Sequence, residues 1–306
     1  NLMNSNNDIV FIGGTGRCGT NVLKDILTSH KDICSLPFET KFIFDPDGII
    51  DFYSSVNSIW SPYYIDLKIK RLLDMLHNVA NKNFSSSKYS DWELNRYFDN
   101  FNLCIEKLAD SLTDFKYFAN HHGLIDSREM FFMAKKDQKE LQLIFRDFLL
   151  SIFDNYMEKN FSEIYIDDST HSILFINEIN EILPESKFIY MYRDARDVIS
   201  SLKKQRWTPT NVRDVAIWYK SVITHWKLVR DTIDPSVYIE IDLYDLVDDR
   251  NNTLKRICDF IDITYDEVFS LFDLSKSNRG RWKSDLTDNE IQYLKEFDLF
   301  DTRLNF

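Results

Sequence analysis

Glycine and proline are scarce, with 7 and 6 residues in a chain of 306. They are scattered, so no segment has the composition of a flexible linker or low-complexity tail, and no internal repeat is visible. A single domain spanning 1–306 is the simplest expectation. Cysteine is scarcer still. Cys18, Cys34, Cys104 and Cys258 stand far apart, form no Cys-x-x-Cys pair and lack the accompanying histidine spacing. That pattern excludes a zinc site and predicts a reduced, cytoplasmic chain. No run of about 18 apolar residues occurs, and the first ten residues lack the basic and apolar regions of a signal peptide, so no membrane partner is expected. Positive charge is in deficit: 37 Lys and Arg face 49 Asp and Glu, a net charge of −12. Such a balance argues against nucleic acid as a partner and makes any local basic cluster informative.

What is abundant is core-forming material, at 44% hydrophobic and 15% aromatic. Short apolar or β-branched runs at Ile9 to Ile12, Ile33 to Leu36, Ile164 to Ile166, Phe188 to Tyr192 and Val237 to Ile241 read as strands, each followed by a turn or a helical pattern. Alternation of this kind predicts an α/β fold of three layers, a central parallel sheet flanked by helices. Val22, Leu23, Ile26 and Leu27 recur at helical spacing after the first strand. Ala195, Val198, Ile199 and Leu202 do so after the fourth, with Asp194 as N-cap. From about 45 to 160 the text changes to long helical patterns, Ile65 to Ala80, Leu94 to Leu112 and Lys136 to Tyr156, which reads as a helical insertion. It is either a structural cover or a wall of an acceptor pocket.

The first strand runs into Gly13-Gly14-Thr15-Gly16-Arg17-Cys18-Gly19-Thr20-Asn21 and then into a helix. That arrangement aims free N–H groups and the positive end of the helix dipole at the turn, which makes an anion site. Gly14 and Gly19 are five apart, as in the phosphate-binding P-loop G-x-x-x-x-G-K-[ST]. Here Thr20 replaces the P-loop lysine and Asn21 the magnesium-binding hydroxyl, so a site for Mg²⁺ and ATP is poorly served. Arg17 supplies a cation inside the turn instead, and no metal is expected. A second basic segment begins where the fourth strand ends. Between Lys187 and Arg213 lie seven basic and two acidic residues, with Arg193 at the strand end and Ser201 eight residues on. Arg196 and Asp197 are expected to pair near the helix start, and Lys203, Lys204 and Arg206 read either as a solvated face or as further anion contacts.

These segments resemble the nucleotide site of sulfotransferases that use 3′-phosphoadenosine-5′-phosphosulfate (PAPS). Gly16-Arg17-Cys18-Gly19-Thr20-Asn21 is similar to the family's 5′-phosphosulfate loop, with Cys18 in a place usually held by Ser or Gly. The Arg193 and Ser201 spacing is similar to its 3′-phosphate motif. Arg279-Gly280-Arg281, in the basic stretch Ser277 to Lys283, is similar to the C-terminal loop that closes over the 3′ side. The resemblance implies a P-loop-like fold and a PAPS site formed by Gly14, Gly16, Arg17, Cys18, Gly19, Thr20, Asn21, Arg193, Ser201, Arg279, Gly280 and Arg281.

Removing the acceptor's proton requires a base. Glu39, 22 residues after Arg17, falls where tyrosylprotein and heparan sulfate sulfotransferases place a glutamate, and Phe38 and Phe42 stand beside it to desolvate it. Its plainer reading is a surface ion pair with Lys41. His121, His122 and His171 are competing candidates, of which His171 follows the third strand where relatives carry a lysine. The expectation is transfer of a sulfuryl group to a hydroxyl or amine of a small-molecule acceptor, with Glu39 and Arg17 catalytic. Tyrosine in a protein, a P-loop kinase or NTPase, and a non-catalytic nucleotide binder are the alternatives.

Overall fold

The computed structural model describes residues 8–81, 92–120, 126–274 and 278–297. The chain divides into two compact units. One comprises Asp8–Ser35, Ile164–Asn177 and the chain from Glu185 onward; the other comprises Leu36–Glu163 and Glu178–Pro184. His121, His122 and Ser277 lie outside the described residues.

Seven strands are present among the described residues: β1 (Asp8–Gly14), β2 (Ile33–Ser35), β3 (Phe115–Ala119), β4 (Arg128–Phe132), β5 (Ile164–Asp167), β6 (Lys187–Tyr192) and β7 (Tyr238–Asp242). In the first unit β1, β2, β5, β6 and β7 form a parallel sheet in the order β2-β5-β1-β6-β7, an α/β fold. The five apolar runs read from the sequence are these five strands, each within a few residues at its ends. Phe11 sits opposite Asp167 on one side and Phe188 on the other, and its ring stacks on Phe188 at 5.3 Å. Burial of β1 is continuous from Ile9 to Gly14 and that of β5 is complete. Such burial needs helices on both faces, which is why these strands read as unbroken apolar runs rather than alternating ones.

Helix Thr20–Leu27 buries Leu23, Ile26 and Leu27, and helix Ala195–Leu202 buries Ala195, Val198, Ile199 and Leu202. Each large aliphatic side chain buried in this way contributes roughly 1.5–3 kcal/mol. Asp194 caps its helix as expected, accepting from the Arg196 amide at 2.9 Å. The sheet fixes the site's geometry. Because β1, β5 and β6 are parallel neighbours, their carboxyl ends share one edge, and β1 has β5 on one side and β6 on the other. Sheets of this kind bind ligands at such an edge, where strand order reverses.

The second unit carries helices Ile49–Ser58, Pro62–Ala80, Phe101–Leu112 and Gln138–Lys159. Ser61 and Asp137 cap the second and fourth, accepting from Tyr64 N at 3.1 Å and Glu140 N at 2.8 Å, and Pro62 occupies the first turn, where a missing N–H costs nothing. Two expectations need correction. The pattern Leu94 to Leu112 is not one helix. A short 3₁₀ turn, Leu94–Arg96, is followed by Asn100 at φ 57°, a left-handed residue that restarts the chain as Phe101–Leu112. The other correction is the antiparallel hairpin β3-β4, with Phe115 stacked on Phe132 at 4.6 Å. Asp66 fixes that hairpin to helix Pro62–Ala80 by accepting from Phe131 N at 2.8 Å. Among the described residues no helix is long and apolar enough to cross a membrane.

Candidate anion site at the sheet edge

The turn after β1 is held by its neighbours. Gly14 N donates to the Thr170 carbonyl at 2.7 Å, tying the loop to the segment that follows β5. A Cβ at Gly14 would stand 2.3 Å from Cys18 Sγ, so only glycine permits the loop to fold back here. Cys18 is fully buried, and burial pushes its thiol up from the ordinary 9.0. It sits inside the turn as a small, buried side chain. Arg17 lies at φ 56° and Gly19, the residue before the helix, at φ 102°. These left-handed turns aim the start of helix Thr20–Leu27 into the loop and supply its dipole there. Thr20 is buried and its hydroxyl donates to Asn21 Oδ1 at 3.3 Å.

The second basic segment meets this loop. Arg17 Nε donates to Ser201 Oγ at 3.0 Å across 184 residues of sequence. Arg193, 7% exposed, donates from Nη1 to the Arg17 carbonyl at 3.4 Å, from Nη2 to the Asn278 carbonyl at 2.8 Å and from Nε to the Tyr244 hydroxyl at 3.2 Å. Tyr244 is placed by Asp242, which closes β7 and accepts from the Tyr244 amide at 2.8 Å. Two guanidinium groups, a buried serine hydroxyl and a helix N-terminus therefore converge within one unit. That donor set suits a ligand bearing phosphate groups at two ends.

Asp197 plays a different part from the one its neighbours in sequence imply. It was expected to pair with Arg196, but Arg196 bonds Asp194 instead, from both its amide and its guanidinium. Asp197 lies 3.8 Å from Arg193, accepts a hydrogen bond from the Tyr244 hydroxyl, and accepts from the amides of Gly280 at 2.8 Å and Trp282 at 3.1 Å. Burial, with the bond to Asp197 and against the opposing effect of Arg193, pushes the Tyr244 hydroxyl up to about 12, so it remains a donor. The four-residue spacing of Arg193 and Asp197 offered a signal, although Arg193 precedes the helix that carries Asp197. Nothing in the sequence flagged Tyr244.

The C-terminal loop is thus attached to the strand-end segment. Gly280 turns it at φ 73°. Arg279 bonds Asp248 through both Nη atoms, at 3.2 and 2.7 Å, with its guanidinium 4.1 Å from the Tyr244 ring. Arg281 bonds Asp285 at 2.8 Å, as Lys204 also does, and Lys203 pairs with Glu290 at 3.2 Å. Arg196, Asp197, Tyr244, Arg279, Gly280 and Trp282 border a cavity of about 350 Å³. Arg193, Ser201 and Gly280 are brought together with the loop. Arg279 lines the cavity while held by a carboxylate, and Arg281 is turned to Asp285.

The segment Asp168-Ser169-Thr170-His171 after β5 contains no lysine, but a buried cation arrives there from another segment. Lys24, in the helix after the loop, donates to Asp168 at 2.9 Å with both side chains under 10% exposed. The His171 ring packs 5.5 Å from Trp218. In the other unit Glu39 lies 3.8 Å from Lys41 Nζ. Beside it Phe38 stacks on Trp92 at 5.2 Å and Phe42 is fully buried.

A parallel sheet whose first strand enters a glycine-rich loop and helix, with basic side chains along its carboxyl edge, defines an α/β protein of the P-loop-like class. A model of the sulfotransferase family matches residues 71–267, well over half of the sequence, and the chain belongs to that family. The matched stretch contains Arg193 and Ser201, while the loop at Arg17 lies before it. Among solved structures, the chain is similar to the sulfotransferase domain of the olefin synthase of Synechococcus PCC 7002, at 16% identity over 95% of this chain and 94% of that one, TM-score 0.49. It is also similar to sulfotransferase STF9 from Mycobacterium avium, at 14% identity over 96% and 77%, TM-score 0.45. A third is sulfotransferase STF1 from Mycobacterium tuberculosis H37Rv, at 12% identity over 95% and 76%, TM-score 0.47. No curated protein matches the sequence.

Proposed function

We propose that the protein transfers a sulfuryl group from PAPS to a hydroxyl or amine of a small-molecule acceptor, releasing adenosine 3′,5′-bisphosphate. The observation that carries this reading is the contact of Arg17 with Ser201, together with that of Arg193 with the Arg17 carbonyl. It makes one site of two anion-binding segments, as a nucleotide with both a 5′-phosphosulfate and a 3′-phosphate requires. Arg17 and the loop amides stabilise charge on the 5′-phosphate as its bond to sulfur breaks. Arg193 and Ser201 hold the 3′-phosphate, and Gly280 allows the C-terminal loop a close backbone approach to it. The role of Glu39 as proton acceptor rests on its place in the sequence and its resemblance to the glutamate-base enzymes. Because the chain is strongly acidic, small alcohols, amines or phenols suit it better than long polyanions.

The test is transfer of labelled sulfate from PAPS to a panel of alcohols, amines and phenols without added metal. Glu39→Gln is expected to lower turnover by about 10²–10⁴ and to leave nucleotide affinity unchanged. Full activity in that variant contradicts the assignment of the base, and turnover of Mg²⁺ and ATP in place of PAPS contradicts the reading as a whole.

A further inference from the structure

An exposed indole lies on the phosphosulfate loop. Trp207 follows helix Ala195–Leu202 and is 53% exposed. A Cβ at Gly16, which lies at φ 85°, would stand 2.8 Å from Cη2 at the ring's edge and 3.5 Å from the Thr170 methyl. The indole therefore rests on bare glycine backbone beside Arg17. Trp218, from helix Val212–Arg230, meets Trp207 edge to face at 5.9 Å, and the His171 ring lies 5.5 Å beyond it. Rings from three separate segments line up next to the residue that precedes Arg17.

Phosphate binding does not account for such a row, since two indoles add no formal charge to an anion site. Nor does core packing account for Trp207, half of which faces solvent. An exposed aromatic face at a reaction centre gains most from a second aromatic face, because stacked and edge-on rings attract beyond the area they bury. The nucleotide's base is the obvious rival occupant. The partners of Trp207, however, are Gly16 and Trp218, on the 5′-phosphosulfate loop, whereas the arginine assigned to the 3′-phosphate is held by Tyr244 and Asn278 and meets that loop only at the Arg17 carbonyl.

Resting on the sulfotransferase reading above, we propose that Trp207 and Trp218 form the wall against which the acceptor's ring is seated, and that the acceptor is a phenol. The phenol's O–H proton passes to the base. A new S–O bond forms at the phenolic oxygen while the S–O bond to the 5′-phosphate breaks, and the electron pair leaves with adenosine 3′,5′-bisphosphate. No oxidant or reductant is involved. A free small phenol and a tyrosine in a peptide share this chemistry, and separate arms of the test tell them apart.

The experiment is steady-state kinetics with 4-nitrophenol, an acidic tyrosine peptide, cyclohexanol and hexylamine on the wild-type chain and on Trp207→Ala and Trp207→Phe. In parallel, the affinity of adenosine 3′,5′-bisphosphate is measured by calorimetry. The phenols are expected to outpace cyclohexanol and hexylamine in kcat/KM. Trp207→Ala should raise the phenol KM about tenfold and change bisphosphate affinity less than twofold, and Trp207→Phe should recover most of the loss. The better of the two phenol arms identifies the source. Equal use of cyclohexanol or hexylamine overturns the inference, and so does a tenfold loss of bisphosphate affinity in Trp207→Ala, which would give the indole to the adenine. If the wild-type chain binds the bisphosphate and turns over no phenol, only this inference falls. If it fails to bind the bisphosphate at all, the sulfotransferase reading falls first.

Discussion

Arg193 and Arg279 are proposed to meet the same nucleotide, and their surroundings could hardly differ more. Arg193 is 7% exposed and its guanidinium donates to two carbonyls and a phenol, all neutral acceptors, with Asp197 at 3.8 Å. Arg279 has a side chain 43% exposed and spends both Nη atoms on the carboxylate of Asp248. A guanidinium fixed by two carbonyls and a hydroxyl, beside a buried carboxylate that two backbone amides and a phenol already hold, is set in place before any anion arrives. One bound by a solvent-exposed carboxylate must exchange that partner for the ligand, and the net gain is small. The difference teaches that what already holds a basic residue, and not its charge alone, decides how well it is placed to anchor a phosphate.

Substitutions sharpen that contrast. Arg193→Ala is expected to weaken adenosine 3′,5′-bisphosphate binding about 100-fold, as loss of a buried charge-assisted contact does, and calorimetry measures it. Asp197→Ala removes the carboxylate that holds both Arg193 and the amides of Gly280 and Trp282. Breaking a buried pair of this kind costs about 3 kcal/mol, read as a lowered urea midpoint, with a weaker loss of nucleotide affinity as the C-terminal loop is released. Arg279→Ala should change affinity by no more than about threefold. An effect equal to that of Arg193→Ala would break the comparison.

The smallest effect expected is on the pH dependence of stability. Burial pushes up the Cys18 thiol from 9.0 and the Tyr190 and Tyr219 hydroxyls from 10.0. Each group is neutral when protonated and ionises more readily in the unfolded chain. The stability it contributes is therefore complete below about pH 9 and is lost as pH rises through its ordinary value toward the raised folded one. The thermal midpoint should be level from about pH 7 to 8.5 and fall above it, and Tyr219→Phe should soften that fall. A midpoint that keeps rising above pH 10 contradicts the burial argument.

How much of this was legible in the sequence follows from how local each cause is. The five strands were readable because a parallel sheet covered on both faces demands continuous apolar runs, and Asp194 was readable as a cap because its bond is to Arg196 N, two residues away. The glycines of the loop carried their own signal, since each is required by a turn or a close approach. Hairpin β3-β4 was missed because β3 is largely exposed, with Phe115 and Phe118 at 53% and 73%, and shows no buried alternation. The break before Phe101 turns on one left-handed asparagine within an otherwise helical pattern. Tyr244, Trp207 and the Lys24 pair with Asp168 act across 51, 191 and 144 residues of sequence respectively, from Arg193, Gly16 and each other, and spacing says nothing about such meetings.

The turn after β1 remains the centre of the account, joined to Ser201 and Arg193 by hydrogen bonds and proposed to form with them a single two-ended anion site. Its most direct test is calorimetric titration of the chain with adenosine 3′,5′-bisphosphate, adenosine 5′-monophosphate and ADP, without added metal. The account predicts that the 3′,5′-bisphosphate binds at least about 100-fold more tightly than either of the others, and that Arg17→Ala and Arg193→Ala each abolish most of that preference. Equal binding of ADP, or a preference that survives loss of Arg193, contradicts it.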